Sequence, residues 1–216
     1  MMRSLVAVPL LLAAMAMSAP ALSATPQRLV YEVQHSRYGT IGTYTNAVET
    51  NGDTTTVTTE ARIRVSLLGV VLYRQDASRQ ERWNDGRLVS FRGETRTNGR
   101  IVELNGAADG NSFVLNSSEG AIVAPASVRI ANPWSPDILR SDVIFTPDRG
   151  RLENVQVKES EEAPVTIDGR TVSTKRYEIV RLDGEKRYEI WLDKQGTPVR
   201  FIFFLRNGTV TFTLGA

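Results

Sequence analysis

The chain contains one histidine, His35, so no site built from several imidazoles can hold a metal. His35 ends a β-prone run, in phase with Leu29, Tyr31 and Val33. An imidazole there could serve as a general base. No nucleophile-elbow serine motif accompanies it, which favours a structural or surface role. Cysteine is absent, which removes thiolate ligands, disulfides and a cysteine nucleophile. Carboxylates are plentiful but scattered. Glu81, Glu94 and Glu103 sit among Arg79, Arg92 and Arg96, the pattern of cross-strand ion pairs on the wet side of a sheet. Nothing singles out two of them as a glycosidase acid pair. Asp109-Gly110-Asn111 offers oxygen ligands without the acidic density of a calcium loop. No phosphate-cradling glycine motif opens a helix. The residues therefore predict no catalytic site, no metal and no cofactor.

The remaining chemistry is apolar contact. Trp134, Ile138 and Leu139 lie in an irregular middle, and Leu68 and Val71 in a run that is apolar on both faces, 67–73. Phe201 and Phe203 share one face of a late strand. Together these seven predict an apolar cleft for a lipid, an acyl chain or a lipoprotein, since a curved sheet with few helices must cover its apolar concave face somehow. The glycine at 69 suggests a bulge or bend, and the run around it either is buried on both sides or forms a flap over the cavity.

The elements that must position these residues are strands. Asn51-Gly52, Asp85-Gly86, Asn98-Gly99, Asp109-Gly110, Asp168-Gly169, Asp183-Gly184 and Asn207-Gly208 are tight-turn pairs between β-prone runs. Between them the apolar residues alternate, as in Tyr188, Ile190 and Leu192 against Glu189 and Asp193. Helical periodicity is nearly absent. The fold class is mainly β: an antiparallel meander curling into a half-barrel or open barrel, with at most one or two short helices. A first meander spans 28–124 and a second 151–214. The two prolines of Pro133-Trp134-Ser135-Pro136 break the pattern in an irregular middle, 125–150. The acidic stretch 159–164 reads as an exposed loop.

Residues 1–24 read as a secretory signal peptide: Arg3, an apolar run from Leu5 to Met17, then Ala19-Pro20-Ala21 before a cut. The run is too short for a permanent membrane span. The rest, 25–216, reads as a single β domain in the periplasm of a Gram-negative envelope. The 26 basic and 24 acidic residues of the full chain nearly balance, without a concentrated basic patch, and predict no nucleic-acid partner.

The C-terminal third carries a resemblance. Tyr188-Glu189-Ile190-Trp191-Leu192-Asp193 followed by Gly196-Thr197-Pro198-Val199-Arg200-Phe201 is similar to proteobacterial periplasmic families labelled domains of unknown function. Tyr31-Glu32-Val33, Asn132-Pro133-Trp134 and Gly150-Arg151-Leu152 extend it over most of the chain. The resemblance implies a half-barrel broadly similar to lipoprotein-carrier folds, and no activity. Three functions follow as expectations: a non-enzymatic binder of lipid or lipoprotein, an envelope assembly module with a filled core that pairs with an envelope protein, and, least supported, a hydrolase.

Overall fold

The structure, a computed structural model, describes residues 26–182 and 187–215. The proposed signal peptide and the Asp183-Gly184 turn lie outside the described residues. Strands β1 (Gln27–His35), β2 (Gly39–Asn51), β3 (Thr54–Leu67), β4 (Val70–Asn84), β5 (Arg87–Thr97), β6 (Arg100–Asp109), β7 (Ser112–Ser117) and β8 (Gly120–Pro125) form the first meander. Two short strands follow, β9 (Arg129–Ile130) and β10 (Val143–Phe145), flanking a turn of 3-10 helix at Pro136–Arg140. The second meander holds β11 (Leu152–Glu162), β14 (Lys175–Arg181), β15 (Arg187–Leu192), β16 (Pro198–Leu205) and β17 (Gly208–Leu214). A small hairpin, β12 (Val165–Ile167) and β13 (Arg170–Val172), branches from it. The acidic stretch expected as a loop is strand up to Glu162, because β11 keeps pairing with β14 as far as Glu162 against Lys175.

Fifteen strands make one sheet, in the order β8-β7-β6-β5-β4-β3-β2-β1-β17-β16-β15-β14-β11-β10-β9. All pairs are antiparallel except β9 with β10. The sheet does not close, and the architecture is an open curved barrel. The turn pairs act as their chemistry requires. Both residues of Asp85-Gly86, Asn98-Gly99 and Asp168-Gly169 have positive φ, the type I′ geometry that matches strand twist. The two meanders join where β1 pairs with β17, Tyr31 opposite Leu214 and His35 opposite Val210.

Alternation decides which residues face inward. Val57, Phe91, Leu104, Phe113 and Leu115 from the first meander are buried on the concave side. The irregular middle lies inside the curve, not outside it. Val128, Ile130 and Phe145 pack into that same cluster, while Ile138 and Ile144 join Val155, Ile179, Tyr188, Ile190 and Phe201 of the second meander. Phe145 contacts Phe91 edge-on at 5.1 Å and stacks over Phe113 at 6.4 Å. The apolar face that the sequence reading left partly uncovered is therefore covered by the chain itself.

Candidate functional site

Two places gather polar groups. The first is a knot inside the barrel. β4 turns Arg79, Glu81 and Trp83 inward in phase with Ala77, so Arg79 and Glu81 are buried. This corrects their expected place on the wet face. The exposed pairs that do form, Glu60–Arg62, Arg74–Asp76 and Glu94–Arg96, each lie along a single strand and contribute little stability.

Glu81 is fully buried and accepts three hydrogen bonds. The Trp83 and Trp134 indole N–H groups donate to Oε2 at 3.0 and 2.9 Å, and Asn132 Nδ2 donates to Oε1 at 2.6 Å. Asn132 Oδ1 in turn accepts from Tyr44 at 3.0 Å and from Asn46 at 2.9 Å. Thr59 completes the ring, donating to Asn46 Oδ1 at 2.7 Å. Tyr31 Oη reaches the carbonyl oxygens of Pro133 and Pro198, at 2.7 and 2.8 Å. Asn132-Pro133-Trp134 is thus pinned to β1, β2, β3 and β4.

Burial raises the Glu81 carboxyl to about 7, opposed by its three donors and the Arg79 charge. Burial likewise raises the Tyr44 hydroxyl to about 12. The cavity bordered by Trp83, Asn132 and Trp134 measures about 10 Å³, room for at most one water. With every carboxylate oxygen already accepting, the knot serves to fasten the inserted segment.

The second place is a cleft of about 330 Å³ at one end of the barrel. Tyr73 and Val102 give it apolar surface, and Thr97, Ser117 and Ser118 give it hydroxyls. Arg100, Arg149 and Arg151 bring three guanidinium groups, against the carboxylates of Glu119 and Asp148. Arg100 pairs with Glu119 at 3.3 Å and Arg149 with Asp148 at 3.6 Å, and both arginines are largely exposed. The turn carrying Arg149 and Arg151 is set by Gly150, with φ +67°. A Cβ there would stand 3.0 Å from Leu104 and 3.1 Å from Leu115, so the backbone lies tight against the sheet. Tyr73 is half-buried, which raises its hydroxyl, while a hydrogen bond with Thr97 lowers it. Arginines lining a cleft beside an aromatic residue suit an anionic group.

The seven residues expected to line one apolar cleft fall in three places. Ile138, Leu139, Phe201 and Phe203 belong to one packed cluster. Trp134 bridges the other two large clusters and holds Glu81. Leu68 and Val71 stand in water on the β3–β4 hairpin, Leu68 at 95 % exposure. The 67–73 run is neither buried on both faces nor a flap over the apolar interior. At the same end lie Tyr38, Ile101, Leu182 and Leu205; of the exposed large apolar residues among those described, Val30 and Val123 alone lie elsewhere. His35 has a local role: its Nδ1 accepts from the Arg37 N–H at 3.0 Å and its ring meets Tyr38. The cleft arginines had no sequence signal, since Arg100, Arg149 and Arg151 meet only through the fold. Arg79 and Glu81 did have one, the shared parity with Ala77 and Trp83.

Fold and site together define an open β-barrel-like protein with a filled interior and a cationic cleft at one end. The chain belongs to a family described as a domain of unknown function, DUF6134, whose model matches residues 31–215. It is similar in fold to the crystal structure of a beta-barrel-like protein of domain of unknown function DUF1849 from Brucella abortus. That likeness has a TM-score of 0.65 and 12% identity, covering 90% of this chain and 97% of the other. No curated protein matches the sequence. Among the described residues, no helix is long and apolar enough to cross a membrane.

Proposed function

We propose that the protein is an exported, periplasmic, non-enzymatic binder of an anionic amphiphile, a lipid or free acyl chain. The site lies in the end cleft rather than in the concave interior. The observation that carries this reading is the 330 Å³ cleft, lined by Tyr73 and Val102 together with Arg100, Arg149 and Arg151, of which Arg100 and Arg149 also pair with Glu119 and Asp148. A headgroup or carboxylate meets the arginines, and the chain runs over Tyr73 toward Val71. The volume is at the lower end for small-molecule sites, which fits a headgroup with the first part of one chain. The non-enzymatic part rests on Glu81, whose raised carboxyl is saturated and walled off by two tryptophans.

Titration of the mature protein with a fluorescent fatty acid and a fluorescent lysophosphatidylglycerol tests the reading. Binding at micromolar concentration is expected, with roughly a tenfold loss on Arg151→Glu, equivalent to about 1.4 kcal/mol. Absence of binding by both probes, with no lipid in native mass spectra of detergent-free preparations, would overturn it.

A second reading, an envelope assembly module, draws on the filled interior and on the edge strand β8. Its sequence Gly120-Ala121-Ile122-Val123-Ala124-Pro125 carries no charge, and Val123 is 64 % exposed. Such an edge can accept a partner's strand. Crosslinking in an envelope preparation would then recover a protein.

A further inference from the structure

The β3–β4 hairpin is built against two ordinary preferences at once. Its tip, Leu67-Leu68-Gly69-Val70-Val71-Leu72, exposes five large apolar side chains, a concentration that soluble surfaces normally avoid. The turn itself is Leu68-Gly69, with φ of +51° and +81°. The comparable turns at Asp85-Gly86, Asn98-Gly99 and Asp168-Gly169 place Asp or Asn at the first position, the residues that tolerate positive φ. Leucine gains nothing there conformationally and is the most exposed large apolar residue described. Neither folding nor solubility accounts for it.

The hairpin also projects. β5 ends level with Arg74, where the Asn98 N–H donates to the Arg74 carbonyl at 2.9 Å. Beyond that level β4 pairs with β3 alone, through Val65 with Tyr73, Ser66 with Val71 and Leu67 with Val70. Four strand steps carry Arg74 to Val70, about 13 Å at the usual strand rise. At the base of this projection Arg64 stands directly opposite Arg74, a like-charge pair that the Arg74–Asp76 ion pair at 2.8 Å offsets only on the Arg74 side. Arg62 and Arg96 flank Asp76 in the next register row.

We infer that this hairpin docks the protein on an anionic phospholipid bilayer. The apolar tip enters the boundary between headgroups and acyl chains, and Arg64 and Arg74 bind lipid phosphates. The spacing fits: with the guanidinium groups at the phosphates, a tip about 13 Å ahead passes the headgroup layer and reaches the first part of the acyl region. An anionic surface explains both anomalies, because it turns the opposed arginines into an attraction and removes Leu68 from water. A neutral surface would explain only the second. The inference deepens the amphiphile-binding reading by placing the cleft, which shares Tyr73 with the hairpin, at the membrane from which a ligand would be collected. It uses different residues, however, and is separately testable.

The test is co-sedimentation of the mature protein with vesicles of phosphatidylglycerol mixed with phosphatidylcholine, and of phosphatidylcholine alone. Binding is expected to the mixed vesicles, weakened by salt and much weaker on the neutral ones. Leu68→Asn restores the usual turn residue, so it should melt at or above the parent temperature while losing at least tenfold in vesicle affinity. Arg64→Glu should lose affinity for the mixed vesicles alone. Neither variant should alter titration by the monomeric fluorescent lipid, whereas Arg151→Glu should. Failure of the vesicle arm with intact monomer binding therefore sinks the docking inference and leaves the cleft reading standing. Equal vesicle binding by parent and Leu68→Asn, or binding that ignores lipid charge, would overturn it. So would recovery of the hairpin crosslinked to a protein partner in place of lipid.

Discussion

At the scale of single residues, Glu81 is the most consequential side chain. Its carboxyl is raised by burial from 4.5 to about 7, so between those values the folded chain holds a proton that the unfolded chain has released. The contribution of Glu81 to stability is therefore greatest below about pH 4.5 and falls as pH rises toward 7, then levels off, with a span of roughly 3 kcal/mol. Urea unfolding at a series of pH values should show that slope in the parent and lose it in Glu81→Gln. Glu81→Ala should be far worse at every pH, by about 3–5 kcal/mol, because two indole N–H groups and the Asn132 amide would lose their acceptor and the buried Arg79 a nearby opposite charge. The sequence held this site in plain form, since Arg79 and Glu81 have the parity of Ala77 and Trp83. Charge argued for the wet face and outweighed phase. Three donors arriving from residues 83, 132 and 134 could not be read from either.

At the scale of elements, the turn pairs made the strands legible. Asp85-Gly86 and Asn98-Gly99 fix their hairpins to the residue, because both positions need positive φ and those residue types supply it. The irregular middle was legible only as an interruption. The short parallel pair β9 and β10 depends on contacts with distant strands and left no period of its own. A glycine marks another strand detail: Gly42 has φ +155° and sits beside a bulge where β1 slips against β2 between Val33 and Gln34. A Cβ there would lie 1.9 Å from the Arg62 carbonyl oxygen. Gly42→Ala must move β2 away from β3, and thermal unfolding should register a loss of about 2 kcal/mol or more. Gly39→Ala, where open space surrounds the Cβ position, bears only the strain of its positive φ and is the milder comparison.

At the scale of the whole molecule, curvature and filling are set by different parts of the chain. The two meanders supply the curve, and the segment between them supplies the filling, fastened by Asn132 and Trp134. An open concave face was expected because strand patterns report which side is apolar but not what covers it. The cover here is a segment whose own sequence, with Pro133 and Pro136, carries no regular period. The proposed docking hairpin and the end cleft both belong to one end of the barrel, where alternate turns of a meander must collect. Deleting residues 208–216 removes β17, which lies between β1 and β16. Both neighbours would become unpaired edges in the middle of the sheet, and size-exclusion chromatography should show aggregation in place of the parent's peak.

The same seam sets a clock. Tyr31 finds Leu214 only after all the chain between them is available, and contacts between such distant residues make β folds slow, on the order of milliseconds to seconds. Each meander can zip up locally through its hairpins, yet neither owns a finished sheet until β17 arrives between them. A ribosome still holding that strand would be holding two half-built walls.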